Sequence, residues 1–490
     1  MPATGTGRLD RRILDRRLWR GVTGWTVLRV AAVALAAYAA WLAVGAFGRP
    51  YGFFDMKIYH GAMVWWVHGG DLYQYVSPDV PLGFTYPPFA AVVMAPMALL
   101  PTTAAAWTNV VLGLVALAAV LAVLLVPVAD RYGWPRWFTV ALAVPLAAAL
   151  EPGRETLGYG QVNLLLFALV FADLLALRRR ARAAGAPARP AGSRPSALRA
   201  LWYSGAWAGV GVGLASAVKL TPGLFILYFL ITRQWRAAVT AAGTAAAVTA
   251  GTFLISWRDS AGYWGSVLWQ TERVGAADAT PNQALTGLLA RLYNADAAPT
   301  LVWITFALVI LAVGLSRAAN SHRDGDELAA FTLVGLTSNV VSPISWTHHL
   351  VYVIPAVLVL VDGALRRRAA SHIPVTLRPG RPLLPGLSAP RAPIWFPALT
   401  GLRHASAAIG LYALFLISPI WPFEHKLSEG VSHYTDGALG ALAESSFALA
   451  LILVVAALPW RPGADPAFPA EPPAAALARP RPRVDAVRGS

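Results

Sequence analysis

Long apolar runs alternate with short polar or basic breaks along almost the whole chain. Candidate membrane segments fall at roughly 25–47, 86–100, 104–127, 137–150, 160–177, 203–218, 220–232, 237–256, 299–316, 328–341, 347–363, 404–420 and 437–459. A helix needs about 20 mostly apolar residues to cross a bilayer, and several of these runs fall short of that. The stretch 203–232 reads as one broken helix or as two half-helices around Lys219-Leu220-Thr221-Pro222. After the first run, aromatic residues at 59, 65, 66 and 73 stand beside isolated charges. That pattern predicts short amphipathic helices lying in the membrane interface, the first of them ending at the turn Gly69-Gly70-Asp71. The expected fold class is an all-α polytopic membrane protein with about 12–13 membrane segments.

Composition agrees: of 490 residues, 57% are hydrophobic and 13% charged, where soluble chains carry roughly 25% charged residues. A formal charge of +16 raises nucleic acid as a partner. The positive residues bunch between apolar runs, however, which is the pattern that orients spans, and no nucleic acid is expected. With no cysteine in the chain, thiolate nucleophiles and thiolate metal sites are excluded.

The basic clusters serve as topology markers. They are the arginine-rich start, Arg178-Arg179-Arg180-Ala181-Arg182, Arg233 with Arg236, Arg317 with Arg323, Arg366-Arg367-Arg368 and the tail from Arg461, and all read as cytoplasmic. Residues 1–24 form a basic cytoplasmic N-terminus, and 25–47 has the feature order of a signal peptide but suffices for a retained anchor. A membrane-embedded domain follows over 25–460, with a first external loop at 48–85 and a cytoplasmic loop at 364–403. Residues 461–490 read as a disordered tail. From Arg182 onward the crossings alternate consistently. Between residue 48 outside and Arg178 inside, an odd number is required and four candidates are present, with 86–100 and 137–150 as the suspects.

The polar groups gather on the face opposite the basic clusters. Asp55 follows the first span by a few residues and is a candidate acid or base, or else a cap or partner for Lys57. Asp71 follows two glycines, where a turn explains it equally. Gln161 and Asn163 precede an apolar helix and either cap it or offer hydrogen bonds to a sugar. Lys219 interrupts an apolar stretch, as an anion contact or as a snorkelling anchor. Ser342-Pro343-Ile344-Ser345-Trp346-Thr347-His348-His349 is the most concentrated polar signal of the second half. Two adjacent histidines without a spaced third ligand are weak grounds for zinc, so no metal site is expected. Phosphate-loop and dinucleotide fingerprints are missing from the sequence.

Several of these pieces, in this order, resemble a known family. They are Phe54, Asp55 and Tyr59; Gly69, Asp71, Leu72 and Tyr73; Phe84, Tyr86, Pro87 and Pro88; Gly160, Gln161 and Asn163; Lys219 and Pro222; and Ser342, Pro343, Ser345, Trp346, His348 and His349. From about residue 25 to 455, leaving out 364–403, the chain resembles the actinobacterial polyprenol-phosphate-mannose-dependent α-(1→2)-mannosyltransferases. These are integral-membrane glycosyltransferases of the C-type (GT-C) fold. The likeness implies a plasma-membrane enzyme with both termini cytoplasmic and an extracytoplasmic active site, acting as a monomer without metal or other cofactor. Mannose would pass from polyprenol-phosphate-mannose, with inversion, to a phosphatidylinositol mannoside. The mannan of lipomannan and lipoarabinomannan is the alternative acceptor. It maps the base onto Asp55, although some related families carry an adjacent acidic pair where this chain has Phe54-Asp55. Lys219 and one of His348 and His349 would meet the donor phosphate. Tyr59, Asp71, Tyr86, Gln161, Asn163, Trp346, Glu424 and His425 are further substrate-binding candidates. A lipid or sugar flippase would instead spread charges through mid-membrane helices.

Overall fold

A computed structural model of the chain describes residues 9–49, 52–184, 196–371, 401–425 and 432–465. The expected tail beyond 465, most of the 364–403 loop and Lys426 lie outside these. The described chain is all-α. Helix α1 (Leu9–Phe47) leads to the short α2 (Phe54–Val67), α3 (Pro88–Met94), α4 (Thr102–Tyr132), α5 (Arg136–Ala149), α6 (Glu151–Tyr159) and α7 (Asn163–Ala184). Then come α8 (Ala197–Ser204), α9 (Val210–Val218), α10 (Leu224–Ile231), α11 (Trp235–Ile255), α12 (Trp257–Gly265) and α13 (Leu285–Tyr293). The remainder is α14 (Thr300–Arg323), α15 (Glu327–Val341), α16 (Val353–Ser371), α17 (Leu402–Ile417), α18 (Gly437–Glu444) and α19 (Ser446–Ala457). Four segments are long and apolar enough to cross a membrane: Gly24–Phe47, α4, α11 and α14, with the bent pair α18–α19 as a fifth. The rest of the bundle is built from shorter helices, several of them packed on all sides. In α15, every residue from Glu327 to Val340 is buried, so this helix has no lipid face and forms the axis of the core.

Most helices run between two chemically distinct ends. At one end Asn163 begins α7, and Asn339 near the end of α15 donates to the His349 carbonyl at 2.8 Å. At the other end Arg178 of α7 makes a two-pronged pair with Asp465 at 2.6 and 2.7 Å. Beside it Arg461 bonds both oxygens of Asp326, at 2.6 and 2.8 Å. Arg461 also reaches Asp362 of α16 at 2.8 Å, and Arg366 and Arg131 converge on the same carboxylate. The clusters read from sequence as topology markers thus include two deeply buried arginines, Arg178 and Arg461. Residues 461–465, assigned to a disordered tail, pack into this end because Asp326, Asp362 and Arg178 need partners there.

The 86–100 candidate is α3, of 7 residues, followed by a 3-10 turn of 5, together about 18 Å long at helical rise. It starts at Tyr86, bonded to Tyr59 of α2, and finishes at Leu100, whose carbonyl lies 2.8 Å from the ring of His60, also on α2. Both of its ends therefore lie on one side. The other suspect, α5, joins the two ends of the bundle. It runs from Arg136, paired with Asp130 near the end of α4, to Glu151, which binds Ser418 and Trp421. Helices α4, α5 and α7 each join the two ends.

The 203–232 stretch is two half-helices. Helix α9 starts where the amides of Gly211 and Val212 donate to Asp173 and climbs to an extended residue, Lys219. A turn at Thr221–Gly223 reverses it, and α10 descends until Tyr228 donates to Glu327 at 2.7 Å. Among the described residues of 48–85, α2 is the one α-helix. The second interfacial helix expected around Tyr73 is a three-residue 3-10 turn, because Asp71 breaks the chain just before it.

Candidate active site

Asp55 stands in the first turn of α2, which buries Met56, Ile58, Tyr59, Ala62 and Met63 along one face. That face is held against α6 by Gly160, which caps α6 at φ 74°. A Cβ at Gly160 would come within 2.5 Å of Met56, so the close approach requires glycine twice over. The same turn sends Gln161 toward α2. Its Nε2 donates to Asp55 Oδ2 at 2.8 Å and to the Tyr59 hydroxyl at 2.8 Å. Its Oε1 accepts from the Tyr86 hydroxyl at 2.9 Å, and Tyr59 donates to Tyr86 at 3.0 Å.

Facing this group is the turn at Thr347–His349, tied to α6 and α7. Thr347 donates to the buried Glu155, and the His348 carbonyl accepts from Thr156 and Asn163 at 3.1 and 3.0 Å. Asn163 also accepts from Lys219 Nζ at 3.2 Å, so one amide joins the lysine to the histidine turn. Lys219 further lies 5.3 Å from the centre of the Tyr86 ring, within cation–π range. Its helix break is what brings a cation there.

Together these walls enclose a cavity of about 440 Å³, lined among others by Asp55, Tyr59, Tyr86, Gln161, Lys219, Trp346, His348 and His349. Asn163 faces an adjoining pocket of about 40 Å³, shared with Lys219 and His349. Asp55 opens onto the cavity but is enclosed by protein, and this desolvation pushes its carboxyl from 3.8 up to about 6 against the Gln161 hydrogen bond and the charge of Lys219. Burial, and then the charge of Lys219, hold both histidines well below 6.5, so both imidazoles are neutral. The Trp346 amide donates to His349 Nδ1 at 3.1 Å, which puts the proton of that ring on Nε2. Both ring nitrogens of His348 are buried without a partner among the described residues. A buried imidazole lining a cavity with both nitrogens idle is suited to a polar ligand.

Three other expected residues stand apart from the cavity lining. Asp71 lies 3.3 Å from the exposed Arg258, and its carbonyl accepts from Trp65 and Gln74 in the turn. Glu424 pairs with Arg49 at 2.5 Å. His425 lies 3.0 Å from Asp436. Conversely, Tyr159, Tyr263 and Thr347 line the cavity without having been singled out as site residues. The charged Glu151-Pro-Gly-Arg154-Glu155 run between two apolar segments was the available signal for the buried α6 beside them. Among the described residues no group of three or more His, Cys, Asp or Glu is placed to hold a metal ion.

Residues 84–343 match the family described as Glycosyltransferase family 87. A protein of Mycobacterium tuberculosis is 34% identical over 385 residues, covering 75% of this chain and 80% of its own length. Its counterpart in Mycolicibacterium smegmatis is 30% identical over 448 residues, covering 86% and 94%. Both bear the name polyprenol-phosphate-mannose-dependent alpha-(1-2)-phosphatidylinositol mannoside mannosyltransferase. Among solved structures, ArnT from Cupriavidus metallidurans bound to undecaprenyl phosphate covers 89% of this chain and 76% of its own, at 15% identity and a TM-score of 0.34. On the sequence matches, which span more than half of its length, the chain belongs to glycosyltransferase family 87.

Proposed function

We propose that this multi-pass membrane protein transfers mannose from polyprenol-phosphate-mannose to a phosphatidylinositol mannoside, forming an α-(1→2) linkage with inversion. The observation that carries the reading is one cavity with a carboxylate on one wall and a lysine with two neutral imidazoles on another. Asp55 takes the proton of the acceptor 2-hydroxyl while that oxygen attacks the anomeric carbon. The bond from that carbon to the phosphate oxygen breaks, and its electron pair leaves with the polyprenol phosphate. The ammonium of Lys219 and the Nε2–H of His349 meet the growing charge, and His348 offers a further contact. A carboxyl titrating near pH 6 is ionised at neutral pH yet more basic than an exposed aspartate, which suits a general base.

The names borne by the two relatives support this donor and acceptor. The C-type fold, the extracytoplasmic position of the cavity and cytoplasmic termini belong to the same reading. They are supported by the basic clusters gathering at the opposite end. Since Lys219 supplies positive charge where the phosphate leaves, we expect transfer to survive chelation of divalent ions.

The experiment is transfer of labelled mannose from polyprenol phosphate to purified phosphatidylinositol mannosides by the detergent-purified chain, with and without chelator, followed by linkage analysis. An α-(1→2)-mannosylated product is expected. Failure with every phosphatidylinositol mannoside, alongside transfer to lipomannan, would replace the acceptor. Loss on chelation restored by one cation would reassign Asp55 as a metal ligand.

A further inference from the structure

We propose that Gln161 is a positioning residue, holding the Asp55 carboxylate in the orientation that abstracts the acceptor proton. The proposal rests on the reading of Asp55 as the base. Gln161 touches the cavity, but both hydrogens of its amide are engaged by protein, one by Asp55 and one by Tyr59. Tyr59, Tyr86 and Gln161 form a closed ring: Tyr59 donates to Tyr86, Tyr86 to Gln161 Oε1, and Gln161 Nε2 back to Tyr59. Each hydroxyl in the ring donates once and accepts once. The reversed amide would set Oε1 2.8 Å from a carboxylate oxygen with no proton between them, so the ionised Asp55 and the ring select a single orientation.

The backbone is fixed as firmly. The Gln161 amide donates to Thr156 at 2.8 Å, its carbonyl accepts from Asn109 at 3.1 Å, and Gly160 supplies the left-handed turn before it. Gln161 thus occupies Oδ2 of Asp55 and leaves Oδ1 for the acceptor. The choice of an amide has a chemical reason. A cation here would hold the carboxylate by ion pairing and weaken it as a base, whereas a neutral donor fixes geometry at a smaller loss of basicity. The ionisable groups around Asp55 are Lys219 and the phenols of Tyr59, Tyr86 and Tyr159. None of these phenols is ionised near neutral pH, so Gln161 and Lys219 are the two contacts that favour the ionised carboxylate.

The test is the pH–rate profile of mannose transfer by purified wild type, Gln161→Met and Gln161→Glu, with Asp55→Asn as reference and donor binding and thermal unfolding measured alongside. Gln161→Met keeps length and removes the hydrogen bond. It should lower kcat by about 10- to 100-fold, leave donor KM within about twofold and move the acidic limb to higher pH. Gln161→Glu keeps the shape but sets a second carboxyl beside Asp55, so its acidic limb should move further still. A residue that merely fills space would leave kcat of Gln161→Met within about twofold of wild type and its acidic limb unmoved. That result in folded protein overturns the proposal. If neither variant folds, Tyr86→Phe decides: it frees Oε1, and a limb displaced upward supports the role while an unmoved limb refutes it. An active Asp55→Asn would instead sink the base assignment itself, which separates the two failures.

Discussion

Asp55 and Asp71 are the two acidic candidates of the first external loop, and their surroundings separate them. Asp55 is enclosed, held by Gln161 and opposite a lysine, while Asp71 faces the exposed Arg258 in a turn. Asp55→Asn should lower turnover by about 10²- to 10⁴-fold with donor binding retained, and Asp71→Asn should change it by less than about tenfold. Mannose transfer and donor binding on the same preparations check this, and near-normal turnover of Asp55→Asn would refute the mechanism. Activity in the wild type should fall as pH drops through about 6, where Asp55 takes up its proton. Lys219→Ala should cost about 10²–10³ in kcat without loss of membrane insertion, and normal turnover would return Lys219 to the role of a snorkelling anchor. At this scale the sequence was readable where a polar residue interrupted an apolar run, as with Lys219 and His348. It was silent on partners: nothing in Gly160-Gln161 announces that the amide turns inward to Asp55, because that contact joins residues 106 positions apart.

Helix boundaries were legible wherever an apolar run was long, as in α4, α11 and α14. The short segment 86–100 was ambiguous because hydropathy does not record where a helix's two ends are tied. Its ends are bonded to Tyr59 and His60, neighbours on α2, so α3 dips and returns. The prediction is direct, since Leu99 is 87% exposed and follows α3 on that side. In this cysteine-free chain, Leu99→Cys should react with an impermeant thiol reagent from outside intact spheroplasts, as should Gly52→Cys. Labelling of Leu99→Cys only after permeabilisation would make 86–100 a true crossing and send the odd count back to α5. The same limitation applied to the loop around Tyr73, where aromatic spacing suggested a helix. The geometry there is set instead by Asp259, which accepts from Trp66 and from the Leu72 amide. That constraint lies 187 residues downstream and no local pattern encodes it.

Over the whole molecule, polar chemistry is divided between two ends of one apolar bundle. The positive charges were readable as markers of sidedness, but their burial was not, because charge runs usually stay in water. Arg461 neutralises Asp326 and Asp362, and Asp465 neutralises Arg178, all nearly closed off from solvent. Removing one partner leaves buried charge without compensation, so Arg461→Ala should destabilise the fold by about 3–5 kcal/mol. It should show as a large fall in thermal midpoint in detergent, with the folded fraction still active because the site lies at the other end. An unchanged midpoint would mean that water reaches these carboxylates.

Arg461 and Asp465, which complete this ion network, follow α19 in the chain, so the helices they tie together are all made before them. Until then Arg178 and Asp326 sit in the nascent protein without these counterparts, while Asp362 already has Arg131 and Arg366. The bundle is therefore electrostatically unfinished until residues 461–465 are in place, and that stretch acts as a latch. A polypeptide stopped just past α19 would carry the catalytic residues yet present a persistent, charge-frustrated face to membrane quality control. The latch thus lies at the end of the bundle opposite the candidate site, and its loss would be felt in assembly before it was felt in chemistry.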